Sequence, residues 1–384
     1  MKAIRSSSYG TPSETAVSSS RRCRILYIIG QLGCGGAERQ LFYLLRELDR
    51  ELYPSDVLVW NYSTDHRYVN EIGSLSVPIH FFPRRTSSAA KLQGVRRLVQ
   101  SLGAEVIHSC SFFTNFAAYW ATFNTKAVAL GSLRGEFSKE KKDSGPLLGR
   151  LSARWPRYQV YNSFFSAERA GRSGEIFTPK HINVVRNGLD LQHFCALNGN
   201  AMVREYIAGV GSLLSLKRWD RVLRIVHEVS RKGVGCKVRI AGDGPERKQL
   251  ERQVQDLGIS KNVEFLGATL DVRGLLEKSR FLVHTSDTEG CPNVVMEAMA
   301  CGRPVVAMEA GDIPLLVENG MTGFVIRRGD EMAFAERVMQ LLDDDDLCHR
   351  MGLTARAKAE QEFGVRSLVD ETLNAYRAAG WKDA

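Results

Sequence analysis

From residue 24 onward, short continuous apolar runs alternate with stretches whose apolar positions recur every three or four residues. Arg24 to Ile29 (RILYII) reads as a buried strand, and Gly33 to Gly36 as the turn after it. Ala37 to Leu52 then carries Leu41, Leu44, Leu45, Leu48 and Leu52 at helical spacing. Further strands are expected at Asp56 to Trp60, Val77 to Phe82, Glu105 to Ser109, Ala127 to Ser132, Arg157 to Tyr161 and His181 to Val185. Between them, Ser87 to Leu102 has Leu92, Val95, Val99 and Leu102 on one side, with Lys91, Arg96 and Arg97 off that stripe. Strand and helix signals in alternation predict βαβ units, hence a parallel sheet covered by helices on both faces.

The pattern pauses at Asn187-Gly188-Leu189-Asp190 and in the polar stretch that runs through Asn200. It restarts with strands at Tyr206 to Leu213, Lys237 to Ala241, Val263 to Leu266, Phe281 to Thr285, Pro304 to Met308 and Gly323 to Ile326. Helices are expected at Arg218 to Arg231 and Glu246 to Leu257, each followed by a glycine (Gly233, Gly258), and through the last ~50 residues. The fold class is therefore α/β, with two doubly wound domains. One spans residues 22–195 and the other 203–364, with a hinge near 190–203. The helix at 365–384 is expected to pack back on the first domain. Ligands in such sheets bind beyond the carboxyl ends of the strands, so the cleft between the domains is the default site.

The Ser- and Thr-rich residues 1–21 show no periodicity and read as a disordered tail. The apolar stretch Ile25 to Gly30 is too short for a signal-peptide core, and the arginines do not fall on one helical face as a transit peptide requires. The bulk composition, 44% hydrophobic and 25% charged, excludes a disordered or fibrous chain. No run of ~18 apolar residues is present, so no membrane-spanning helix is expected. The eight cysteines form no C-x-x-C pair, which argues for reduced thiols and a cytoplasmic setting. Charge is uneven. Residues 1–195 hold 26 Lys and Arg against 15 Asp and Glu; residues 196–384 hold 26 against 28. The basic first half favours an anionic partner there, against a merely solvated surface.

Two segments carry chemistry. Thr288 to Val306 (TEGCPNVVMEAMACGRPVV) follows a strand, turns through Glu289, Gly290 and Cys291, and starts a helix at Pro292 and Asn293 with Glu297 on its second turn. A helix N-terminus offers free N–H groups to phosphate or sugar oxygens. Carboxylates there accept hydrogen bonds from sugar hydroxyls, and Glu297 would suit a cis-diol. The plainer alternative makes Glu289 a helix-start acid and Glu297 a surface residue. The second segment, Gly33-Cys34-Gly35-Gly36-Ala37-Glu38, is a glycine loop between strand and helix. It fails the dinucleotide pattern G-x-G-x-x-G because Glu38 stands at its last position, so an NAD-dependent enzyme is excluded.

Together the pieces resemble the family 4, group 1 retaining glycosyltransferases. The residues that match are GCGGAERQL (Gly33 to Leu41), VIHS (Val106 to Ser109), VYNS (Val160 to Ser163), VVRNGLD (Val184 to Asp190), VGSLLSLKRWD (Val210 to Asp220), AGDGPE (Ala241 to Glu246), FLGAT (Phe265 to Thr269) and the Glu-x7-Glu block. The resemblance covers roughly residues 22 to 364. It implies the GT-B fold, two Rossmann-like domains facing across a cleft. It implies transfer of a sugar from a nucleoside-diphosphate sugar to a hydroxyl acceptor, without a metal and with no cofactor beyond that co-substrate. Gly35 and Gly36 would bring amides towards the donor's diphosphate and sugar, and Lys217 would contact the diphosphate. Glu289 would hold donor-sugar hydroxyls, with the amides of Cys291, Pro292 and Asn293 close by. Glu297 would hold the ribose. Lys217 and Glu289 are the catalytic candidates, while Asn187 and Gly188 shape the hinge.

Three departures bear on the site. Ser212 stands where the family often has an arginine paired with the lysine, and Arg218 is the candidate substitute. The first-domain H-x-H pattern is His108-Ser109-Cys110, so Cys110 takes the place of the second histidine, with His108 and Arg134 as sugar- or acceptor-side candidates. The usual Phe after Glu-Gly is Cys291. The run Asp343 to Asp346 reads as a solvated helix connection rather than a metal site. The acceptor is expected to be a hydroxyl compound, lipid-linked or anionic, in polysaccharide, lipid-linked glycan or glycolipid synthesis. The basic helix Ser87 to Leu102, with Arg84 and Arg85 before it, keeps open a peripheral station on an anionic inner membrane face. No nucleic acid is expected, because no basic stripe interleaves with aromatics. Another GT-B enzyme (sugar phosphorylase or nucleotide-sugar epimerase) and a non-catalytic scaffold remain the alternatives.

Overall fold

The computed structural model describes residues 23–382 except 34, 64–65, 84, 173–176, 196–204 and 270. The tail at 1–21, Cys34, Arg84 and most of the polar stretch before residue 203 lie outside the described residues.

The first unit runs β1 (Ile25–Ile29), α1 (Gly36–Glu47), β2 (Ser55–Val59), α2 (Arg67–Ser74), β3 (Ile79–Phe81), α3 (Ser88–Leu102), β4 (Val106–Ser109), α4 (Asn115–Thr122), β5 (Val128–Leu133), α5 (Phe137–Asp143), α6 (Leu148–Arg154), β6 (Tyr158–Tyr161), α7 (Phe164–Arg172) and β7 (His181–Val184). Its seven strands are all parallel, in the order β3-β2-β1-β4-β5-β6-β7. The second unit runs β8 (Tyr206–Val210), α8 (Trp219–Arg231), β9 (Val238–Ala241), α9 (Arg247–Asp256), β10 (Val263–Gly267), α10 (Val272–Glu277), β11 (Ser279–His284), α11 (Asn293–Ala300), β12 (Val305–Met308), α12 (Ile313–Leu316), β13 (Gly323–Ile326), α13 (Glu331–Asp343) and α14 (Asp345–Glu362). Its six parallel strands follow the order β10-β9-β8-β11-β12-β13. The last helix, α15 (Val365–Ala378), leaves the second unit for the first.

The continuous apolar strands are explained by burial on both faces. Along β1, Ile25, Tyr27 and Ile29 enter a core shared with α1, α2 and α15, while Leu26 and Ile28 enter a second core with Val95 and Val99 of α3 and Ala118 and Ala121 of α4. In the second unit Ile207 faces α8, α9 and α13, and its neighbours Tyr206 and Ala208 face α10, α11 and α14. Helix α3 thus packs on the first sheet. Lys91 is not turned away from it: its Nζ donates to the Trp60 carbonyl at 2.6 Å and sits 5.1 Å from the Trp60 ring centroid.

Helix α15 contributes Leu368, Val369, Leu373 and Tyr376 to the first core. The chain crosses between units at two places that lie side by side, with the Leu189 amide donating to the Phe363 carbonyl at 2.7 Å. Gln40 of α1 clamps this crossing, donating to the Gly188 carbonyl at 2.8 Å and accepting from its amide at 2.7 Å. Asp344 caps α14 by accepting from the Leu347 amide, and Asp345 pairs with Arg280, so the Asp343 to Asp346 run joins two helices.

Candidate functional site

The carboxyl ends of both sheets converge on one cleft. From the second unit, the loop after β8 passes Ser212 and forms a 3-10 turn at Ser215–Lys217. This loop lies directly on the one after β9. A Cβ at Gly242 would collide with the Gly211 carbonyl, and one at Gly244 would stand 2.6 Å from the Leu213 carbonyl oxygen. The end of β11 fixes the turn from the other side. The Thr285 hydroxyl donates to the Lys217 and Arg218 carbonyls at 3.2 and 3.0 Å, and the Asp287 amide donates to the Leu216 carbonyl at 2.9 Å.

Held this way, Lys217 places its Nζ 2.5 Å from Glu289 Oε1. His284, the last residue of β11, brings its Nε2 to 2.9 Å from the same oxygen. Glu289 is nearly buried, and burial alone would raise its pKa. The His284 hydrogen bond and charge and the Lys217 charge outweigh that and lower it to about 2. Glu289 is thus an ionised hydrogen-bond acceptor and a weak base. His284 gave only a faint sequence signal: a polar residue closing an apolar strand whose end faces the cleft.

Helix α11 starts at Asn293 rather than at Pro292, which lies just outside it, and Pro292 has no N–H to offer a ligand. The Cys291 side chain turns into the core, with Sγ 3.5 Å from Met296 Sδ, and burial pushes its thiol up to about 12. Only its main chain can serve the cleft. Glu297 is 3% exposed and is no surface residue. Its Oε1 takes Arg39 Nη2 of the first unit at 2.5 Å.

The glycine loop lies opposite. A Cβ on Gly36 would stand 3.1 Å from Asn293 Nδ2, so α1 and α11 present their N-termini to one another across the cleft. Asn187, three residues past the end of β7, ties the two sides. Its Nδ2 donates to Asn293 Oδ1 at 2.8 Å, and its Oδ1 accepts from Arg134 Nη1 at 3.2 Å. Arg134 extends from β5 with its Nε buried and unpartnered, and its carbonyl lies 3.6 Å from where a Gly290 Cβ would be. A cavity of about 720 Å³ continues between the units, lined by Phe164, Phe165, Thr288, Gly311 and Leu315.

Other expectations need correction. His108 has no ring nitrogen to spare for a ligand. It is buried, with Nδ1 2.9 Å from the Tyr376 hydroxyl and Nε2 3.0 Å from Ser132 Oγ, and burial followed by the Arg134 charge lowers its pKa to about 3. The arrival of α15 over β4 saturates both ring nitrogens. Cys110 is likewise buried, its thiol raised to about 12 by burial, and is neutral. Arg218 is not free to replace the missing arginine. Its guanidinium grips Asp220 at 2.9 Å through both Nε and Nη2 and Asp287 at 3.0 Å through Nη1. Ser212 is exposed, and its carbonyl accepts the Trp219 indole N–H at 3.0 Å.

Residues 34–193 match the model of Glycosyltransferase Family 4, and residues 198–358 match that of Glycosyl transferases group 1. The chain is 29% identical over 200 residues to N-acetyl-alpha-D-glucosaminyl L-malate synthase of Bacillus anthracis, covering 50% of this chain and 52% of that protein. It is 27% identical over 176 residues to poly(ribitol-phosphate) alpha-N-acetylglucosaminyltransferase of Staphylococcus aureus, covering 45% and 36%. The chain thus spans about half, or less, of the length of the curated relatives it matches. Anabaena Alr3699/HepE in complex with UDP superposes with a TM-score of 0.77 at 21% identity, covering 92% of this chain and 100% of that one. The chain belongs to the family 4, group 1 glycosyltransferases, and its fold is GT-B.

Proposed function

We propose that this chain is a retaining, metal-independent glycosyltransferase that moves a sugar from a nucleoside-diphosphate sugar to a hydroxyl acceptor in glycan or glycolipid synthesis. The observation that carries the reading is the Lys217–Glu289–His284 cluster on the turn that leads into α11, the helix that carries Glu297. The Anabaena neighbour solved with UDP supports the donor class. Relatives whose names include malate and ribitol-phosphate support an anionic acceptor, which the basic first half of the chain would suit.

In this reading the bond from the anomeric carbon to the diphosphate oxygen breaks, and its electron pair stays on the phosphate. The acceptor oxygen bonds to the same face of the sugar. Its proton passes to the departing phosphate oxygen. That route fits the residues present, because Glu289 near 2 and His108 near 3 are both poor bases at neutral pH. Lys217 and the open N-termini of α1 and α11 stabilise the charge on the leaving group. Glu289 orients sugar hydroxyls and Glu297 the ribose.

The test is a thermal-shift panel with UDP, GDP, ADP, CMP and NAD on wild type and K217A, followed by turnover with the matching sugar nucleotide. A shift with one nucleoside diphosphate that K217A loses is expected, together with a fall in turnover of at least ~100-fold in K217A and in E297A. No shift with any of them refutes the reading. Product stereochemistry by NMR, and turnover in EDTA, test retention and metal independence. We further propose that the first unit rests on anionic membrane through α3, α4 and the residues flanking α4, where Phe113, Trp120 and Phe123 are exposed and Arg96 reaches the Trp120 carbonyl.

A further inference from the structure

Lys217 already faces Glu289 at 2.5 Å, so part of its charge is balanced before any ligand arrives. By the family resemblance, Ser212 stands where an arginine paired with the lysine is often found. Arg218, next along the chain, is held by two carboxylates, and its neighbour Arg221 is committed to Asp287 at 2.6 Å. The second unit therefore offers the diphosphate one half-neutralised lysine from this loop.

A guanidinium stands on the other wall. Arg39 lies on the first turn of α1, three residues past Gly36, with its side chain 24% exposed. Its Nη2 meets Glu297, whose side chain is 4% exposed, while its Nε is buried with no hydrogen-bond partner. A buried carboxylate needs a partner for its charge. Arg39 is that partner. A ribose seated on Glu297 would supply hydroxyl donors instead, and would leave the fork of Arg39 with donors to spare beside the glycine loop. Planar guanidinium forks suit phosphate oxygens, which accept two parallel hydrogen bonds.

We propose that Arg39 is the second cation for the donor's diphosphate, delivered from the first unit in place of the arginine missing at Ser212. The proposal rests on the glycosyl-transfer reading above. It makes the charge set complete only when the two units are closed on one another, because Lys217 and Arg39 come from opposite walls.

Calorimetric titration of the full chain with UDP, GDP, ADP and CDP, and with the four matching monophosphates, tests this on wild type, R39Q and R39K. Wild type is expected to bind one diphosphate. R39Q should weaken that diphosphate by ~10-fold or more beyond any loss for the monophosphate, as expected for a charge-assisted contact to the outer phosphate. R39K, which keeps the charge and loses the fork, should fall between. Equal losses for diphosphate and monophosphate would mean that Arg39 acts only through Glu297, and would overturn the proposal. Unchanged affinity would overturn it too, while leaving the transferase reading intact. Failure of wild type to bind any of the eight would refute that reading, and this proposal with it. Should R39Q fail to melt cooperatively, the diphosphate-to-monophosphate ratio of R39K decides, and a ratio equal to wild type overturns the proposal.

Discussion

Asp312, at the start of α12 in the second unit, places its Oδ1 2.9 Å from the hydroxyl of Ser163 in the first. The same carboxylate accepts from the Phe164 amide at 2.9 Å and the Phe165 amide at 2.8 Å. It therefore caps α7 from across the cleft, fully buried. Its own amide donates to the Gly290 carbonyl at 3.0 Å, so the latch is built onto the turn that carries Glu289. Gly311 makes the approach feasible: it has φ +54, and a Cβ there would collide with the Glu289 carbonyl.

Asp312→Ala should therefore loosen closure as well as lower stability. It strands three donors at the start of a helix, a loss of about 2–4 kcal/mol. Calorimetric melting is expected to fall by roughly 5–10 °C. Small-angle scattering should show a wider molecule without nucleotide. A radius of gyration identical to wild type would remove Asp312 from any role in closure.

Glu289 should leave an acid signature. Its folded pKa of about 2 lies below its ordinary 4.5, so the stability it confers is complete above ~4.5 and is lost as pH falls towards 2. Against wild type, Glu289→Gln is expected to be destabilised by on the order of 3 kcal/mol at neutral pH, with the gap closing below pH ~4.5. Urea melts from pH 3 to 7 measure this. A gap that stays constant with pH would show that the Lys217 and His284 contacts do not hold the charge.

His108 should act on a different window. Its folded pKa of about 3 lies below its ordinary 6.5, so the unfolded chain takes up a proton that the buried imidazole refuses. Stability is complete above pH 6.5 and falls as pH drops towards 3, at about 1.4 kcal/mol per pH unit once the unfolded imidazole is protonated. His108→Gln should flatten the stability profile between pH 6.5 and 4.5. A profile parallel to wild type would overturn the core assignment.

The membrane proposal is read by Trp120. Trp120 is 38% exposed and Phe123 48%. Vesicles rich in anionic lipid should shift its emission to the blue, with neutral vesicles doing so less. W120F should abolish the shift, which checks its source. Equal response to anionic and neutral vesicles, or none, would leave the basic half of the chain without this partner.

Much of the architecture could be read from local pattern. The strand RILYII, the helix with its leucines at 41, 44, 45 and 48, and the turn at Asn187-Gly188 are decided by neighbours a few residues away. That is why both parallel sheets and the crossing between them were legible. The placement of Lys217 and Glu289 beyond the carboxyl ends of β8 and β11 was legible for a second reason: a turn between strand and helix must present its side chains at that edge of the sheet. Contacts over long sequence separations were not. His108 could not be placed until Tyr376, 268 residues on, arrived over β4. Arg218 looked available until Asp287 took it, and Arg39 looked unremarkable until Glu297, 258 residues away, closed on it. Periodicity reports which face of an element is buried, because burial repeats with the backbone geometry. It carries no record of which polar group on a distant element will meet that face, since this depends on how separate elements pack against one another. The sequence by itself determined the two parallel α/β units; loop packing within the second unit decided the partners of Glu289 and Arg218, and the docking of the two units decided those of Glu297 and Arg39.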